Sequence, residues 1–149
     1  HKNFSKKKII TQINLIKLFY IKNFKKNPKI ALTGLNPHCE SNYFNSEEVK
    51  IIKPAIKSLI NKRCKVYGPF AADTIFMKEQ SKKYDVIVGM YHDQVLTPLK
   101  SLFGFDAINI TLGLPFMRIS PDHGPNYSMV GKNLSNPTSL MEALKFFDK

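Results

Sequence analysis

The sequence predicts an α/β protein, a mixed sheet with helices on its faces. Two observations support this fold class: short apolar segments that stop at glycine or at polar loops, and amphipathic segments that alternate with them along the 149 residues. With 43% hydrophobic residues, the chain is long enough for one buried core. Because helical segments follow the strands, helices are expected to cover the faces of the sheet.

The first predicted element is a basic amphipathic helix over residues 9–24. Its apolar side chains recur at steps of three and four: Ile9, Ile13, Ile16, Tyr20 and Phe24. Pro28 ends this segment, and nine lysines with no acidic residue lie within residues 1–29. We therefore predict a basic helical segment over residues 1–28 that leads into an α/β portion over residues 29–149.

The first predicted strand is followed by a loop and a capped helix. Lys29–Gly34 is a short buried strand that stops at a glycine. A helix is expected to begin at Ser46, whose hydroxyl can cap the first turn, while Glu47 and Glu48 meet the positive helix end. Pro54 is expected to kink or shorten this helix.

The remaining elements repeat the alternation of strand and helix. They are a strand at 65–67 that ends at Gly68-Pro69, a helix at 71–83, a strand at 85–91, a short helix at 95–102, a strand at 107–111, a loop at 113–136 rich in glycine and proline, and a last helix from Pro137 or Thr138 to Phe147. Ligands bind beyond the carboxyl ends of strands in such sheets, so the loops at His38, His92 and Gly113 are expected to gather there.

The charge of the chain is concentrated at its start. The formal net charge is +12, but without the nine lysines of residues 1–29 only 14 basic and 11 acidic residues remain. A reader of bases is expected to use arginines, and the chain has only Arg63 and Arg118. A solvated lysine face is the simplest interpretation, and attraction to a phosphate backbone or an acidic membrane is the alternative.

Several protein classes are excluded or disfavoured by missing patterns. No apolar run approaches the ~20 residues of a membrane span, and no export signal is recognisable. Cys39 and Cys64 have no CxxC partner, which favours reduced thiols and a cytoplasmic location. The chain also lacks the GxGxxG, GxxxxGK[ST] and GxSxG motifs of the usual dinucleotide folds, P-loops and hydrolases.

The histidines are the residues that point most directly to chemistry. Of the four histidines, His38, His92 and His123 lie in segments that follow predicted strands. Imidazole is a common ligand of divalent metals, and the neighbouring Asp93 and Asp122 could orient the rings. Taken singly, each loop histidine is more simply interpreted as a surface or hydrogen-bonded residue, since no local HxH or HxxxH spacing is present.

Five segments, in order, resemble the C-terminal half of the 4-hydroxythreonine-4-phosphate dehydrogenase family of pyridoxal phosphate biosynthesis. They are Gly34–His38, Gly68–Thr74, Met90–Gln94, Asn109–Arg118 and Asp122–Gly124. The resemblance runs from about Lys29 to Lys149 and implies a partial chain with an isocitrate/isopropylmalate dehydrogenase-like fold. Residues 29–149 are then the catalytic portion.

The resemblance implies an activity, cofactors and partners. The expected reaction is the NAD-dependent oxidation and decarboxylation of 4-phosphooxy-L-threonine to 3-amino-2-oxopropyl phosphate in a cytoplasmic homodimer with a shared active site. A divalent metal, zinc, magnesium or cobalt, is expected on three histidines: His1, His38 and His92. No nucleic acid and no membrane partner are expected.

The resemblance also assigns substrate and cofactor contacts. Lys100, Asn109 and Arg118 match substrate-binding positions, and their cations and amide suit a phosphorylated amino acid. Lys100 is in addition the candidate catalytic base, if burial and neighbouring cations make its amine easier to deprotonate. NAD is expected on an adenine-binding loop that dispenses with the dinucleotide glycines, at His123, Gly124 and Asn136. Two alternatives stay open: a noncatalytic phosphate- or metabolite-binding domain, and a basic nucleic-acid-binding module.

Overall fold

A computed structural model describes residues 4–39, 43–125 and 127–148 of the chain. The contacts within it define two compact units, His1–Val95 and Leu96–Lys149. The predicted α/β class is confirmed, because the first unit contains a parallel sheet flanked by helices. The functional boundary that we predict after residue 28 stays a prediction. No helix in the described part of the chain is long and apolar enough to cross a bilayer.

The sheet of the first unit has three strands among the described residues, in the order β2-β1-β3. They are β1 (Lys29–Thr33), β2 (Lys65–Phe70) and β3 (Val86–Val88), and β1 pairs in parallel with both neighbours. Strand β2 runs on through the Gly68-Pro69 pair, where we predicted its end, and this peptide bond is cis. Strand β3 is shorter than the predicted strand at 85–91.

Two helical segments of this unit begin at a serine cap. Helix α1 (Lys6–Phe24) is capped by Ser5, whose Oγ accepts a hydrogen bond from the Lys8 amide at 3.3 Å. The predicted Ser46 cap is confirmed, because its Oγ accepts from the Val49 amide at 3.3 Å. The first turn is nevertheless a π-helical turn at Glu48–Ile52, after which α2 (Lys53–Asn61) continues.

One prediction for these helices agrees with the structure and one is wrong. Pro54 lies in the first turn of α2, and the α-helix is shorter than predicted, because it begins at Lys53 after the π-helical turn. The predicted helix at 71–83 is divided into α3 (Ala72–Ile75) and α4 (Lys78–Ser81). Met77 has an extended backbone, with φ −58° and ψ 139°, and this conformation interrupts the helix.

The core of the first unit lies between the helices and the sheet. It consists of buried apolar side chains from α1, β1, the π-helical turn, α2 and β2: Ile9, Ile13, Ile30, Leu32, Ile52, Ala55, Ile56, Leu59, Cys64 and Val66. Two members of the predicted apolar face of α1, Ile9 and Ile13, are buried. The basic helix is therefore part of the hydrophobic core of this unit.

Asp85 joins three elements where β1 and β3 begin. Its carboxylate accepts hydrogen bonds from the Lys26 amine at 2.5 Å and from the Lys29 amide at 2.8 Å. Its own amide donates to the Lys29 carbonyl at 2.8 Å, and its carbonyl accepts from the Tyr20 hydroxyl at 2.9 Å. The hydrogen bonds from Lys26 and Lys29 hold the pKa of the Asp85 carboxyl below its ordinary value.

The second unit is a strand pair backed by a helix. Strands β4 (Ile108–Thr111) and β5 (Arg118–Pro121) are antiparallel, and helix α6 (Thr138–Phe147) packs against both. The last helix is thus confirmed, whereas the predicted loop at 113–136 contains β5 and a short 3₁₀ turn at Tyr127–Met129. Helix α5 (His92–Phe103) begins in the first unit and ends in the second, and starts earlier than the predicted residue 95.

Ser139 of α6 fastens the two strands at one end. Its Oγ donates to the Ala107 carbonyl, just before β4, at 2.5 Å. The same oxygen accepts from the Asp122 amide, just after β5, at 3.0 Å. Ser139 is buried, so its hydroxyl finds both of its hydrogen-bond partners within the protein.

Replacing Asp85 should give a pH-dependent loss of stability. Asp85→Asn is expected to lower the free energy of unfolding by about 1 kcal/mol at pH 7, because the charge-assisted bonds from Lys26 and Lys29 are weakened. A carboxyl with a lowered pKa stabilises the fold above its unfolded pKa of about 4 and loses this contribution as the pH falls further. The difference between the two proteins in urea unfolding should therefore shrink below about pH 4. Glu79→Gln, at an exposed pair, serves as the control, and a constant difference from pH 3 to 7 would contradict the assignment.

Removing the Ser139 hydroxyl should destabilise the second unit. Ser139→Ala leaves the Ala107 carbonyl and the Asp122 amide without this partner, at an expected cost of about 1–3 kcal/mol in chemical denaturation. Ser101→Ala is the matched control, because its exposed hydroxyl bonds only within α5, to the Thr97 carbonyl. Equal effects of the two substitutions would show that Ser139 does not fasten the strands.

Candidate functional site

A buried carboxylate binds the backbone of the loop that follows β1. Glu48 is 2% exposed, and its Oε1 accepts hydrogen bonds from the Leu35 amide at 2.8 Å and the Asn36 amide at 2.7 Å. We expected Glu48 to face the positive end of the helix, but its side chain binds the amides of this neighbouring loop. The loop is thereby fixed by a residue that belongs to the helix following it.

His38 lies at the end of this loop and is exposed. Its amide donates to Asn36 Oδ1 at 3.0 Å, and its ring Nδ1 lies 3.2 Å from the Asp73 carboxylate. The Pro37 carbonyl accepts from the Ala72 amide at 2.9 Å, which brings the start of α3 against the loop. Asp73 therefore orients His38 from a segment 35 residues further along the chain.

We predicted that His92 lies in a loop, but the structure places it in the first turn of α5. Its Nδ1 is 2.7 Å from the carboxylate of Asp93, the residue that we expected to orient it. Gln94, which follows Asp93, is 6% exposed and connects this turn to the sheet through hydrogen bonds. Gln94 Oε1 accepts from the Met90 amide at 2.7 Å and from the Thr33 hydroxyl at 2.6 Å, and its Nε2 donates to the Gly34 carbonyl at 2.8 Å.

The donor chemistry of His38 and His92 fits a divalent metal. A carboxylate lies against Nδ1 of each ring, so that Nε2 is the nitrogen through which each ring would ligate. Carboxylate-held imidazoles of this kind are typical of metal sites. The described ranges contain no group of three or more His, Cys, Asp or Glu side chains that could hold an ion by itself. The third predicted ligand, His1, lies outside the described residues.

Cys39 follows His38 in the loop, and both cysteines are free thiols. Burial raises the pKa of the Cys39 thiol, so this group is uncharged at neutral pH. A Cβ on Gly34 would lie 2.3 Å from Cys39 Sγ and 3.3 Å from Glu48 Oε1. A side chain at position 34 would therefore force Cys39 or Glu48 to move, so glycine lets the loop approach both.

Two of the predicted substrate residues share one face of the strand pair. Asn109 lies opposite Ser120, and Thr111 lies opposite Arg118, so that these side chains project from the same side. The Arg118 guanidinium donates to the Thr111 hydroxyl at 3.0 Å and is exposed. Asn109 is also exposed. The second unit thus presents a polar, cationic face that could bind an anionic group.

Lys100 forms an ion pair with a carboxylate. We expected neighbouring cations around this residue if it were the catalytic base. Its amine lies 2.9 Å from the Asp122 carboxylate and also contacts the Asp122 carbonyl. Asp122 is positioned in turn by the bond from its amide to Ser139. This arrangement holds the Lys100 ammonium in place as a donor. We had considered Asp122 as a partner of histidine, and the structure pairs it with lysine.

The three predicted cofactor residues come together at one cavity. His123, Gly124 and Asn136 line a cavity of about 240 Å³ in the second unit, with Phe105 and Met129 among its apolar walls. The His123 Nδ1 lies 3.3 Å from the Gly124 carbonyl. Asn136 Oδ1 accepts from the Thr138 amide at 2.9 Å, which places it at the start of α6. An apolar cavity with a few polar groups is the usual form of a ligand site.

Sequence reasoning missed the buried residues that support these side chains. Glu48 and Gln94 stand in patterns already described, the acidic pair at the helix start and the Met90–Gln94 segment, but nothing in a single sequence marks their side chains, or that of Ser139, as buried. For Glu48, the available signal was the acidic pair that it forms with Glu47 before α2. We interpreted that pair as a response to the helix dipole.

Comparison with known proteins places the chain in a family. The family model of the pyridoxal phosphate biosynthetic protein PdxA matches residues 1–147. The 4-hydroxythreonine-4-phosphate dehydrogenase of a Sulfurihydrogenibium species is 46% identical over 143 residues, which are 95% of this chain and 44% of that protein.

Solved structures agree with this assignment. The crystal structure of 4-hydroxythreonine-4-phosphate dehydrogenase from Klebsiella pneumoniae has a TM-score of 0.81 and 34% identity, covering 97% of this chain and 44% of its own. The enzyme of the same name from Burkholderia phymatum gives a TM-score of 0.77 and 32% identity, with coverage of 97% and 44%. The chain therefore spans less than half the length of these relatives. It belongs to the family of the pyridoxal phosphate biosynthetic protein PdxA.

Proposed function

We propose that the chain forms the C-terminal, catalytic part of a 4-hydroxythreonine-4-phosphate dehydrogenase. The reaction is the NAD-dependent oxidation of 4-phosphooxy-L-threonine, followed by decarboxylation to 3-amino-2-oxopropyl phosphate. The observation that carries the proposal is the pair of imidazoles, His38 and His92, each held at Nδ1 by a carboxylate in a chain that belongs to this family. The exposed cationic face of β4 and β5 supports a phosphorylated substrate.

The proposed reaction balances in two stages. In the first, the substrate hydroxyl loses its proton to a base and the carbon that bears it loses hydride to the nicotinamide ring, which gives a ketone and NADH. In the second, the carboxylate beta to this ketone leaves as carbon dioxide, and the electron pair of the broken bond forms an enolate that is then protonated. Negative charge develops on the same oxygen in both stages, so one electrophile beside it can assist both.

A divalent metal, zinc, magnesium or cobalt, would be held by His38 and His92 through Nε2, with His1 as the proposed third ligand. When bound, such an ion supplies a Lewis acid for the oxygen that becomes negatively charged. Asp73 and Asp93 keep the two rings in the tautomer that carries its proton on Nδ1.

The second unit would supply substrate-binding side chains of its own. Arg118 offers a planar guanidinium for phosphate or carboxylate oxygens, and Asn109 offers an amide from the same face of the strand pair. Lys100 supplies a further ammonium group, fixed by Asp122. To act as the catalytic base, Lys100 would first have to leave this ion pair, so binding is the role that its contacts favour.

NAD would bind at the cavity lined by His123, Gly124 and Asn136. Gly124 has no side chain to obstruct the approach of an adenine ring to the backbone. The His123 ring can stack on or hydrogen-bond to the adenine edge, and the apolar side chains of Phe105 and Met129 can contact the ring. We further propose a homodimer with a shared active site and a cytoplasmic location, as the family resemblance implies.

Removing either imidazole should abolish the dehydrogenase reaction. In the complete enzyme that contains this chain, His38→Ala and His92→Ala are expected to lower metal-dependent NADH formation by about 100-fold or more, because each change removes a ligand. The increase in NADH fluorescence during oxidation of 4-phosphooxy-L-threonine measures the rate, and calorimetry measures metal affinity.

His123→Ala is the matched histidine control and should leave metal affinity unchanged. A wild-type enzyme that is inert with every divalent metal would contradict the proposed function. Ligand binding that survives both His38→Ala and His92→Ala, without any turnover, would favour a noncatalytic metabolite-binding domain.

Replacing the guanidinium should weaken substrate binding more than turnover. Arg118→Lys keeps the charge but loses the planar pair of donors, so the KM for 4-phosphooxy-L-threonine is expected to rise by roughly 10-fold. Arg63→Lys makes the same chemical change at the other arginine of the chain and should leave KM unaltered. An unchanged KM in Arg118→Lys would remove Arg118 from the proposed substrate site.

A further inference from the structure

We propose that Glu48 and Gln94 act as a pair of positioning residues for metal binding by His38 and His92. The inference rests on the proposed function, since it concerns the same histidines. Neither residue bears a predicted ligand atom. Their role would be to fix the backbone of the two segments that carry the ligands.

Glu48 and Gln94 hold the same peptide group from its two sides. The carbonyl of the Gly34-Leu35 peptide accepts from Gln94 Nε2 at 2.8 Å, and its N–H donates to Glu48 Oε1 at 2.8 Å. The next amide, of Asn36, donates to the same Glu48 oxygen at 2.7 Å. With both of its polar groups bonded to buried side chains, this peptide cannot rotate without breaking two hydrogen bonds.

The two side chains are buried, so the bonds cannot easily be exchanged for water. Glu48 is 2% exposed and Gln94 is 6% exposed. A buried polar group that loses its partner carries the full cost of its desolvation. Gly34 allows the close approach, since a Cβ there would lie 3.3 Å from Glu48 Oε1 and 2.3 Å from Cys39 Sγ. The amide of Gly34 is also held, by the Phe70 carbonyl at 2.9 Å.

The fixed peptide is connected to His38 through two short links. Asn36, whose amide binds Glu48, accepts the His38 amide on its own Oδ1 at 3.0 Å. The intervening Pro37 carbonyl accepts from Ala72, and the adjacent Asp73 holds the His38 ring. The loop from Gly34 to His38 is thus restrained at successive positions.

Gln94 connects this loop to the second histidine. Its Oε1 accepts from the Met90 amide, two residues after the end of β3, and from the Thr33 hydroxyl at the end of β1. Gln94 lies two residues after His92 in the first turn of α5. One side chain therefore sets the separation between the β1 loop, which leads to His38, and the turn that carries His92. The ligands of a metal site must be held within about 0.5 Å of their binding geometry, so the separation of these two segments is important for the site.

The test measures metal affinity and does not depend on turnover. Glu48→Gln keeps the size and one acceptor oxygen but removes the charge that strengthens the two backbone bonds. Gln94→Glu keeps the size but replaces the Nε2 donor with an oxygen that faces the Gly34 carbonyl. In the complete enzyme, both variants are expected to weaken Co²⁺ binding by about 10- to 100-fold in calorimetry and to change the visible absorption of the bound Co²⁺.

Two controls separate positioning from general stability. Glu47→Gln makes the same charge change one residue earlier, where the side chain makes no capping hydrogen bond. Leu59→Ala creates a cavity in α2, at a fully buried position of the core. Both controls should bind Co²⁺ within about 2-fold of wild type below their unfolding temperatures, since positioning of the histidines is local.

Three outcomes decide the proposal. Wild-type affinity and an unchanged Co²⁺ spectrum in Glu48→Gln and Gln94→Glu would overturn it while leaving the proposed function intact. A wild-type enzyme that binds no Co²⁺ would overturn the proposed metal site and this inference together. If either variant fails to fold, Thr33→Val removes the hydroxyl that bonds to Gln94 Oε1, and it should weaken Co²⁺ binding several-fold; unchanged affinity would overturn the proposal.

Discussion

The conformation of the loop that carries His38 depends on two buried polar side chains. Glu48 and Gln94 are almost fully enclosed, and the groups that satisfy them are the backbone atoms of Gly34, Leu35 and Asn36. Because a buried polar group must be paired, this loop has little freedom to adopt another conformation. The backbone at His38 is restrained in turn, because its amide donates to Asn36 Oδ1 at 3.0 Å.

The second unit likewise combines exposed polar side chains with a buried polar residue that holds the backbone near them. Ser139 is buried and joins the ends of β4 and β5, and the strands then display Asn109 and Arg118 on an exposed face. Asp122 extends this support to Lys100, whose ammonium group it pairs. In both units, the residues with proposed chemistry lie at the surface, and the precision of their placement comes from side chains underneath.

Sequence patterns predicted the elements whose physics is local. Helix α1, strand β1 and helix α6 follow from apolar spacing, proline and glycine, and all three are present. The helix at 71–83 fails because an extended Met77 interrupts it, and four-residue β5 was missed because a strand so short in a segment rich in proline has no clear period. The supporting roles of Glu48 and Gln94 depend on contacts between residues distant in sequence, which no local pattern contains.

The central proposal is that one divalent ion binds Nε2 of both His38 and His92, whose Nδ1 atoms contact carboxylates. The most direct measurement is anomalous scattering from crystals of the complete enzyme soaked in Co²⁺ or Zn²⁺. The account predicts an anomalous peak about 2.1 Å from Nε2 of both rings, with Asp73 and Asp93 still at Nδ1. A peak bound through Nδ1, or two rings that point apart with no peak between them, would contradict it.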